Sequence, residues 1–308
     1  MVDHTDPASS RALRFARLHE LPLTTATISS NPFRAIAETT RRIFDRRELL
    51  GLLVRRDLKS RYKGSALGFL WSFIRPLTQL LIYYIVVGQF LGVARGIPDF
   101  AIYVFAGLTV FGLFSEAVSS ASMSVIANQG LVKKVSLPRE IFPLASVGAA
   151  LFNFAVQAVI LVVAALILNN LAWGWHLLYA APATLLVLIY AAAFGILMSA
   201  LNVYLRDIQY LVEVVLMLAM WASPIVYAWS MVRDAVGPGL LLNLYTSNPV
   251  TLAVLAFQKA FRPPETTAQG YPDDLLLSMG IAGLVGLVLL FIAQQIFTRL
   301  QGNFAQEL

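Results

Sequence analysis

The chain has 308 residues, of which 58% are hydrophobic and 13% charged, and its mean hydropathy is +0.71. A soluble domain of this length needs far more polar surface, so the composition predicts an integral membrane protein. The net charge of +6 does not indicate nucleic acid, because the basic residues gather near the ends of apolar segments. There is no cysteine and the three histidines are scattered, so we predict no disulfide, no metal site and no catalytic residue.

Residues 1–40 carry Arg11, Arg14, Arg17 and Arg34 but no continuous apolar core. A cleavable signal peptide needs such a core before its cleavage site. We therefore interpret this stretch as a flexible cytoplasmic tail.

Residues 41–66 form the next predicted unit, an amphipathic helix. Leu50, Val54 and Leu58 recur at four-residue spacing, and basic residues occupy the other faces. Such a helix lies flat in the membrane interface with its basic side towards anionic headgroups. An ordinary juxtamembrane anchor has the same pattern, and the sequence leaves both interpretations open.

Residues 67–308 contain six apolar stretches long enough to span a bilayer as helices. The predicted spans are 67–92, 101–126, 142–168, 177–203, 210–230 and 275–298. Lysine and arginine concentrate before the first span, between spans two and three, and after spans four and six. Because cytoplasmic loops carry this excess, both termini are predicted to be cytoplasmic. The predicted fold class is an all-α integral membrane protein with six transmembrane helices.

Arg75 and Glu116 fall inside predicted spans, where charges are costly and usually functional. Arg75 lies about 8 residues, or roughly 12 Å, from the cytoplasmic start of span one. Glu116 lies about 10 residues, or roughly 15 Å, from the cytoplasmic end of span two. Their similar depths predict that they pair or face the same aqueous path.

The cytoplasmic connection 128–143 is short and basic, and it is interrupted by glycine and proline. Leu131 and Val132 are followed directly by Lys133 and Lys134, so a short apolar segment lies next to positive charges. This pattern favours a docking element for a soluble partner. A plain basic inside loop fits the same residues.

The external segment 231–273 is long for a loop. Asn248 can cap a helix that begins with Pro249. The apolar run that follows, 250–257, is too short to span and predicts a re-entrant or interfacial helix. A short turn at 240–244 is predicted after the Gly-Pro-Gly break.

Four blocks carry a resemblance to a known family. Residues 49–76 (LLGLLVRRDLKSRYKGSALGFLWSFIRP) resemble the start of the ABC-2 type permeases that export polysaccharides, such as O-antigen and teichoic acid exporters. Residues 128–143 (NQGLVKKVSLPREIFP), residues 202–227 and the Asn248-Pro249 pair agree in order and in topological position. The resemblance runs from about residue 45 to the end, and it looks closest to actinobacterial members, which suggests a galactan exporter of a mycobacterial cell wall.

The resemblance implies roles for the unusual segments. It implies an N-terminal interface helix, a cytoplasmic coupling helix that contacts a separate ATPase, and external gate helices within 231–265. The residues implied for coupling are Leu131, Val132, Lys133, Lys134, Pro138, Arg139 and Glu140. It also implies a homodimer of permeases with two ABC ATPase subunits in the bacterial cytoplasmic membrane, and a cargo joined to polyprenyl diphosphate. The chain lacks a G-x-x-x-x-G-K-[ST] motif, so the sequence predicts no cofactor in this chain, with ATP and Mg²⁺ in the partner.

A glycan cargo calls for aromatic faces along a hydrated path, and its diphosphate calls for cations at the inner surface. The candidate lining residues are Phe69, Phe73, Tyr83, Tyr84, Trp221 and Tyr227. The candidate headgroup ligands are Arg55, Arg56, Lys59, Arg61 and Lys63. Aromatics near span ends also fit an interfacial belt, and the cations also fit a purely topological role.

Three other functions fit parts of the pattern. An ABC-2 permease for drugs or lipids would need a greasy lateral pocket instead of an aromatic-lined pore. A membrane-bound sugar transferase would need clustered acids, and the one acidic pair, Asp273-Asp274, stands alone on the outer side. A passive channel or scaffold is disfavoured by the match at 128–143.

Overall fold

The computed structural model describes residues 41, 44–62, 67–90, 92, 97, 99–134, 137–168, 174–262, 270–272 and 274–308. Within these ranges the regular structure is entirely helical. The predicted tail 1–40 and the candidate ligand Lys63 lie outside the described residues.

The described ranges contain helices that we number in chain order. They are α1 Arg47–Tyr62, α2 Trp71–Ile82, α3 Phe100–Ala127, α4 Gln129–Lys134, α5 Ile141–Ile167, α6 Ala180–Tyr204, α7 Ile208–Trp221, α8 Trp229–Val236, α9 Leu240–Thr246, α10 Pro249–Ala260, α11 Leu275–Leu300 and α12 Phe304–Glu307. A π-helix, Tyr83–Phe90, prolongs α2. Short 3-10 turns precede α2 and α6 and join α11 to α12.

Five helical stretches in the described ranges are long and apolar enough to cross a membrane, and a bent pair makes up to six. The five contain α2, α3, α5, α6 and α11, which correspond to five of the six predicted spans. The bent pair is α9 and α10, which meet at 70°. Length and composition therefore identify a multi-pass helical protein, and the orientation of its termini stays a prediction.

The predicted fifth span, 210–230, is wrong as one continuous helix. Its helix, α7, has 14 residues, which is about 21 Å and short for a bilayer core. Pro224 explains the break, because proline lacks the N–H that a helix needs and disfavours helical geometry in the residue before it. Residues 222–228 continue without helix to the start of α8.

The core of the bundle is centred on α3. One side of this helix is deeply buried against α5, α6 and α10, and Val104, Ala117 and Val125 are each 0% exposed. Small residues permit the close approach of α3 and α6, since a Cβ on Gly195 would lie 2.8 Å from the Cβ of Ala121. By contrast, α2 buries none of its residues.

A second apolar cluster lies at the end of the bundle that carries α4 and the C-terminus. It joins Leu53 of α1 to Val132, Phe142, Phe297 and Phe304. The helix α1 packs against α5, so its apolar face contacts protein. We call this region the C-terminal end of the bundle.

The opposite end contains α8, α9 and α10. Asn248 caps α10 as predicted, because its side chain accepts a hydrogen bond from the backbone N–H of Val250 at 2.9 Å and Pro249 begins the helix. Every residue of Val250–Gln258 is buried. The helix α10 is therefore part of the core, and the leucines of α9 are the exposed part of this segment, with Leu240 82% exposed.

A polar groove as the candidate functional site

One face of α3 carries polar residues through the middle of the bundle. Gly112, Ser115, Glu116, Ser119 and Ser120 recur at helical spacing, so they share one side. They are partly exposed, whereas the apolar residues between them are mostly buried. An apolar helix with one polar stripe predicts a hydrated path along that stripe.

Two overlapping cavities follow this stripe. The first has a volume of about 530 Å³ and is lined by Arg61, Trp71, Ser72, Arg75, Pro76, Glu116, Ser120, Asn153 and Gln157. The second has a volume of about 440 Å³ and adds Gln79, Phe105, Leu108, Phe111, Gly112, Ser115, Ser119 and Met220. They share five lining residues, which are Arg75, Pro76, Glu116, Ser120 and Gln157. We call the combined space the polar groove, and its walls come from α1, α2, α3, α5 and α7.

Glu116 is held from two other helices. Arg61, at the end of α1, donates through Nη1 to the Glu116 carboxylate and through Nη2 to Ser120 Oγ at 3.2 Å. Asn153 of α5 donates through Nδ2 to the same carboxylate oxygen at 2.6 Å. The ion pair therefore ties α1 to α3 across the groove.

Arg75 and Glu116 line the same groove, but they are not ion-paired. None of the described carboxylates lies within ion-pair distance of Arg75, whose side chain is exposed to the groove. Their similar depths predicted either an ion pair or a position on the same path. In the structure both residues line the polar groove without pairing. The partner of Glu116 is Arg61, which sequence analysis assigned to the headgroup set.

The other predicted headgroup cations lie on the outer faces of α1. Arg55, Arg56 and Lys59 are exposed, and Arg56 forms an ion pair with its neighbour Asp57 at 2.8 Å. An exposed pair of this kind contributes little to stability. All three cations lie outside the polar groove.

The predicted aromatic lining residues do not converge on these two cavities. Tyr84 and Trp221 are exposed on the outside of the bundle, while Phe73 and Tyr83 are half-buried. Tyr227 is tied down, because its hydroxyl donates to the carbonyl of Trp221 at 2.8 Å. The side chain of Phe69 lies outside the described residues. The aromatic residues that line the cavities are Trp71, Phe105 and Phe111.

The predicted coupling segment forms a small projecting unit at the C-terminal end of the bundle. In α4, Val132 is buried and Leu131, Lys133 and Lys134 are exposed. Pro138 and Arg139 are half-buried in the turn that follows. The apolar pair is therefore divided, since one member anchors α4 and the other faces outward.

Glu140 closes this segment and is only 2% exposed. Its carboxylate accepts hydrogen bonds from the side-chain amides of Gln294 at 3.0 Å and Gln301 at 3.3 Å. Burial raises the pKa of the Glu140 carboxyl, and these donors together with Arg139 only partly oppose that effect. Glu140 therefore joins the coupling segment to α11.

Sequence analysis missed the two amides of α5. Asn153 and Gln157 lie four residues apart in an otherwise apolar helix, so they share a face. Polar side chains placed together at membrane depth are themselves a signal of a lined path. That spacing could have identified α5 as a wall of the groove.

A bundle of apolar helices around a polar groove defines this chain as a multi-pass membrane protein. A family model described as ABC-2 type transporter matches residues 48–262. The chain therefore belongs to the ABC-2 type transporter family, and it is a multi-pass protein of the bacterial cytoplasmic membrane.

Three relatives cover most of the chain. It is 32% identical to the O-antigen export system permease protein of Myxococcus xanthus over 269 residues, which are 87% of this chain and 98% of that protein. It is 28% identical to the O-antigen export system permease protein of Klebsiella pneumoniae, over 85% of this chain and 95% of that protein. It is 24% identical to the polysialic acid transport protein of Escherichia coli, over 65% of this chain and 84% of that protein.

Proposed function

We propose that this chain is the permease subunit of an exporter that moves a lipid-linked polysaccharide from the cytoplasm to the outer side of the membrane. The observation that carries the proposal is a polar groove among membrane helices, in a chain that matches an O-antigen export permease over 98% of that protein. The cargo is a glycan of the O-antigen, teichoic acid or galactan type. The resemblance to actinobacterial members favours galactan.

The groove suits a glycan because its walls combine neutral polar groups with aromatic faces. Serine, asparagine and glutamine side chains exchange hydrogen bonds with hydroxyls, and the ring of Trp71 or Phe111 offers a flat apolar surface. Such contacts are individually weak, so a long chain can slide past them. The exposed Tyr84 and Trp221 complete the lining where a second copy of the permease packs against this face.

Energy comes from a separate ATPase subunit that holds ATP and Mg²⁺. Two permeases and two ATPases form the working complex. The exposed Leu131, Lys133 and Lys134 of α4 contact the ATPase, while Val132, Arg139 and Glu140 hold α4 on the bundle. The helix α1 is the interface helix, and α8 and α9 are the external gate helices.

The cargo is carried on a polyprenyl diphosphate. Arginine is suited to its phosphate oxygens because the guanidinium offers two parallel donors. The cations on α1, Arg55, Arg56 and Lys59, attract the diphosphate at the cytoplasmic surface. Arg61 belongs to the same helix and lines the polar groove.

The test is to deplete the protein in its native cell and to profile lipid-linked glycans in the cytoplasmic membrane. Accumulation of long polyprenyl-diphosphate glycans is the expected result, and their sugars identify the cargo. An unchanged glycan pool contradicts the proposal.

One observation favours a second function, export of drugs or lipids. An apolar groove of about 440 Å³ opens sideways between α5, α6 and α10, lined by residues such as Phe154, Leu185, Phe257 and Phe261. An exporter of drugs or lipids needs an apolar pocket of this kind that its cargo can enter from the side. The same depletion decides between the two, because altered drug sensitivity with an unchanged glycan pool supports the pump.

A further inference from the structure

The polar groove carries an excess of positive charge. Its described lining contains two arginines, Arg61 and Arg75, and one carboxylate, Glu116. Arg61 is already neutralised by Glu116, so the excess rests on Arg75. A lone charge among membrane helices is costly unless it faces water or a counter-ion.

The surroundings of Arg75 are equipped for an anion. Ser72, Ser120, Asn153 and Gln157 line the same cavity and offer neutral hydrogen-bond donors. The volume of about 530 Å³ lies in the ordinary range for small-molecule sites, roughly 300–1,000 Å³. The cavity also includes Trp71 and Pro76 of α2, a helix whose outer surface is apolar and exposed. An anionic head group would fit the polar cavity, and an attached apolar chain would fit the exposed outer surface of α2.

Glu116 competes with any such anion for Arg61. One oxygen of Glu116 accepts from both Arg61 and Asn153, so the carboxylate occupies the position that a phosphate oxygen would take. Arg61 gives one guanidinium nitrogen to this carboxylate and the other to Ser120. It therefore cannot offer both nitrogens to a phosphate while it stays paired with Glu116.

We infer that this cavity binds the diphosphate of a polyprenyl carrier. Arg75 is the cation that is always available to the ligand, whereas Arg61 is paired with Glu116 while the site is empty. Glu116 therefore competes with the diphosphate for Arg61. The inference rests on the proposed function and deepens it. Arrival of the diphosphate moves Arg61 from Glu116 to a phosphate oxygen. The link between α1 and α3 is thereby released only when cargo is present, because a ligand shifts a conformation by binding one state better.

The test measures binding to the permease–ATPase complex, without nucleotide, in nanodiscs of neutral phosphatidylcholine. The probes are polyprenyl diphosphate, phosphatidylglycerol and inorganic diphosphate. Arg75→Gln and Arg61→Gln are each expected to weaken polyprenyl diphosphate binding about tenfold. Glu116→Gln is expected to tighten it about fivefold, because a neutral amide no longer competes for Arg61 or repels the ligand.

Arg206→Gln is the matched control. It removes the same charge from an exposed position that does not line the groove, so binding should match the unaltered protein. A general loss of positive charge would weaken binding in all three arginine variants alike, and that result overturns the site.

Other results would contradict separate parts of the inference, and binding that is unchanged in Arg61→Gln overturns the transfer of Arg61 to phosphate. Binding that is unchanged in Arg75→Gln overturns the anion site, and Arg75 has no described ion-pair partner whose loss could unfold the protein. Binding that is unchanged or weaker in a folded Glu116→Gln variant overturns the competition. Equal, arginine-dependent binding of phosphatidylglycerol overturns the choice of polyprenyl carrier. If depletion blocks glycan export while all variants bind normally, only this inference fails, whereas an unchanged glycan pool removes the proposed function itself.

Discussion

The guanidinium carbon of Arg139 lies 5.6 Å from the centre of the Phe304 ring. Phe304 is 0% exposed, although it is the fifth residue from the end of the chain. Its ring meets Phe297 edge to face, with centroids 5.5 Å apart. The C-terminal helix α12 is therefore a support on which the proposed coupling segment rests.

Phe304→Ala is expected to weaken binding of the ATPase subunit roughly tenfold, which corresponds to about 1.4 kcal/mol. The reason is that α4 and Arg139 lose the surface that holds them in place. The free energy of unfolding should fall as well, by about 3 kcal/mol, because a buried ring leaves a cavity. Titration of the purified ATPase against the permease in nanodiscs measures the first effect, and thermal melting measures the second.

Phe152→Ala is the control for that experiment. Phe152 lies on α5 and is 43% exposed, so its removal should leave ATPase binding unchanged. If Phe304→Ala lowers the melting temperature but binds the ATPase normally, then α12 stabilises the fold without positioning the coupling segment.

Glu140→Gln is expected to stabilise the protein at neutral pH. Burial raises the pKa of this carboxyl above the ordinary value of 4.5, so the carboxyl binds its proton more tightly in the folded state than in the unfolded state. The stability that depends on this proton is fully present below pH 4.5 and is lost as pH rises through the folded pKa. Glutamine stays neutral and keeps an oxygen that accepts from Gln294 and Gln301. Melting curves of both proteins from acid to neutral pH should therefore diverge as pH rises, and parallel curves contradict the prediction.

The sequence predicted those parts of the fold whose signals are local. The capped start of α10 at Asn248 and Pro249 was readable because a cap needs only adjacent residues. Hydropathy placed five long helices for the same reason. Burial of α10 was not predicted, because an apolar run of this length looks alike at an interface and in a core.

The groove was predicted only in part, because its contacts join distant segments. Arg61 and Glu116 are 55 residues apart, and no spacing rule relates two different helices. The similar depths of Arg75 and Glu116 correctly predicted that both line the same path. Depth alone does not show whether Arg61 or Arg75 pairs with Glu116. The break after α7 did have a local signal, which is Pro224. The span was nevertheless predicted as continuous because most residues of 210–230 are apolar.

Gly286→Ala is expected to destabilise the contact between α6 and α11 by about 1–3 kcal/mol. A Cβ at this position would lie 2.7 Å from the ring of Tyr190 and 2.9 Å from Ile189. The ring cannot easily retreat, because the Tyr190 hydroxyl donates to the carbonyl of Ala282 at 2.9 Å. Thermal melting in detergent measures the loss.

Gly280→Ala makes the same change on the same helix, where nothing lies within 4 Å. Alanine favours a helix over glycine by about 1 kcal/mol, so this variant should be neutral or slightly more stable. Equal destabilisation by both substitutions shows that close packing at Gly286 is not the cause.

Tyr103→Phe is expected to loosen the non-helical segment 222–228. The Tyr103 hydroxyl donates towards the carbonyls of Tyr227 at 2.8 Å and Pro224 at 3.0 Å. Pro224 keeps a second donor in the Gln258 amide at 2.9 Å, so the carbonyl of Tyr227 is the one that loses most. A buried carbonyl left without a donor costs about 1–3 kcal/mol.

The absence of native cysteine makes this loosening measurable. Ser223 is 0% exposed, so Ser223→Cys provides a single buried thiol within the segment. Thiol labelling should be faster in the Tyr103→Phe background, because the segment opens more often when its carbonyls lose a donor. Tyr210→Phe is the control, because it removes the hydroxyl of a residue that is 60% exposed. In that background the introduced thiol should be labelled at the same rate as in the Ser223→Cys protein. If Tyr103→Phe also leaves the rate unchanged, other hydrogen bonds, such as that from Gln258 to Pro224, hold the segment without the Tyr103 hydroxyl. In that case α3 does not control the segment that leads to the proposed gate.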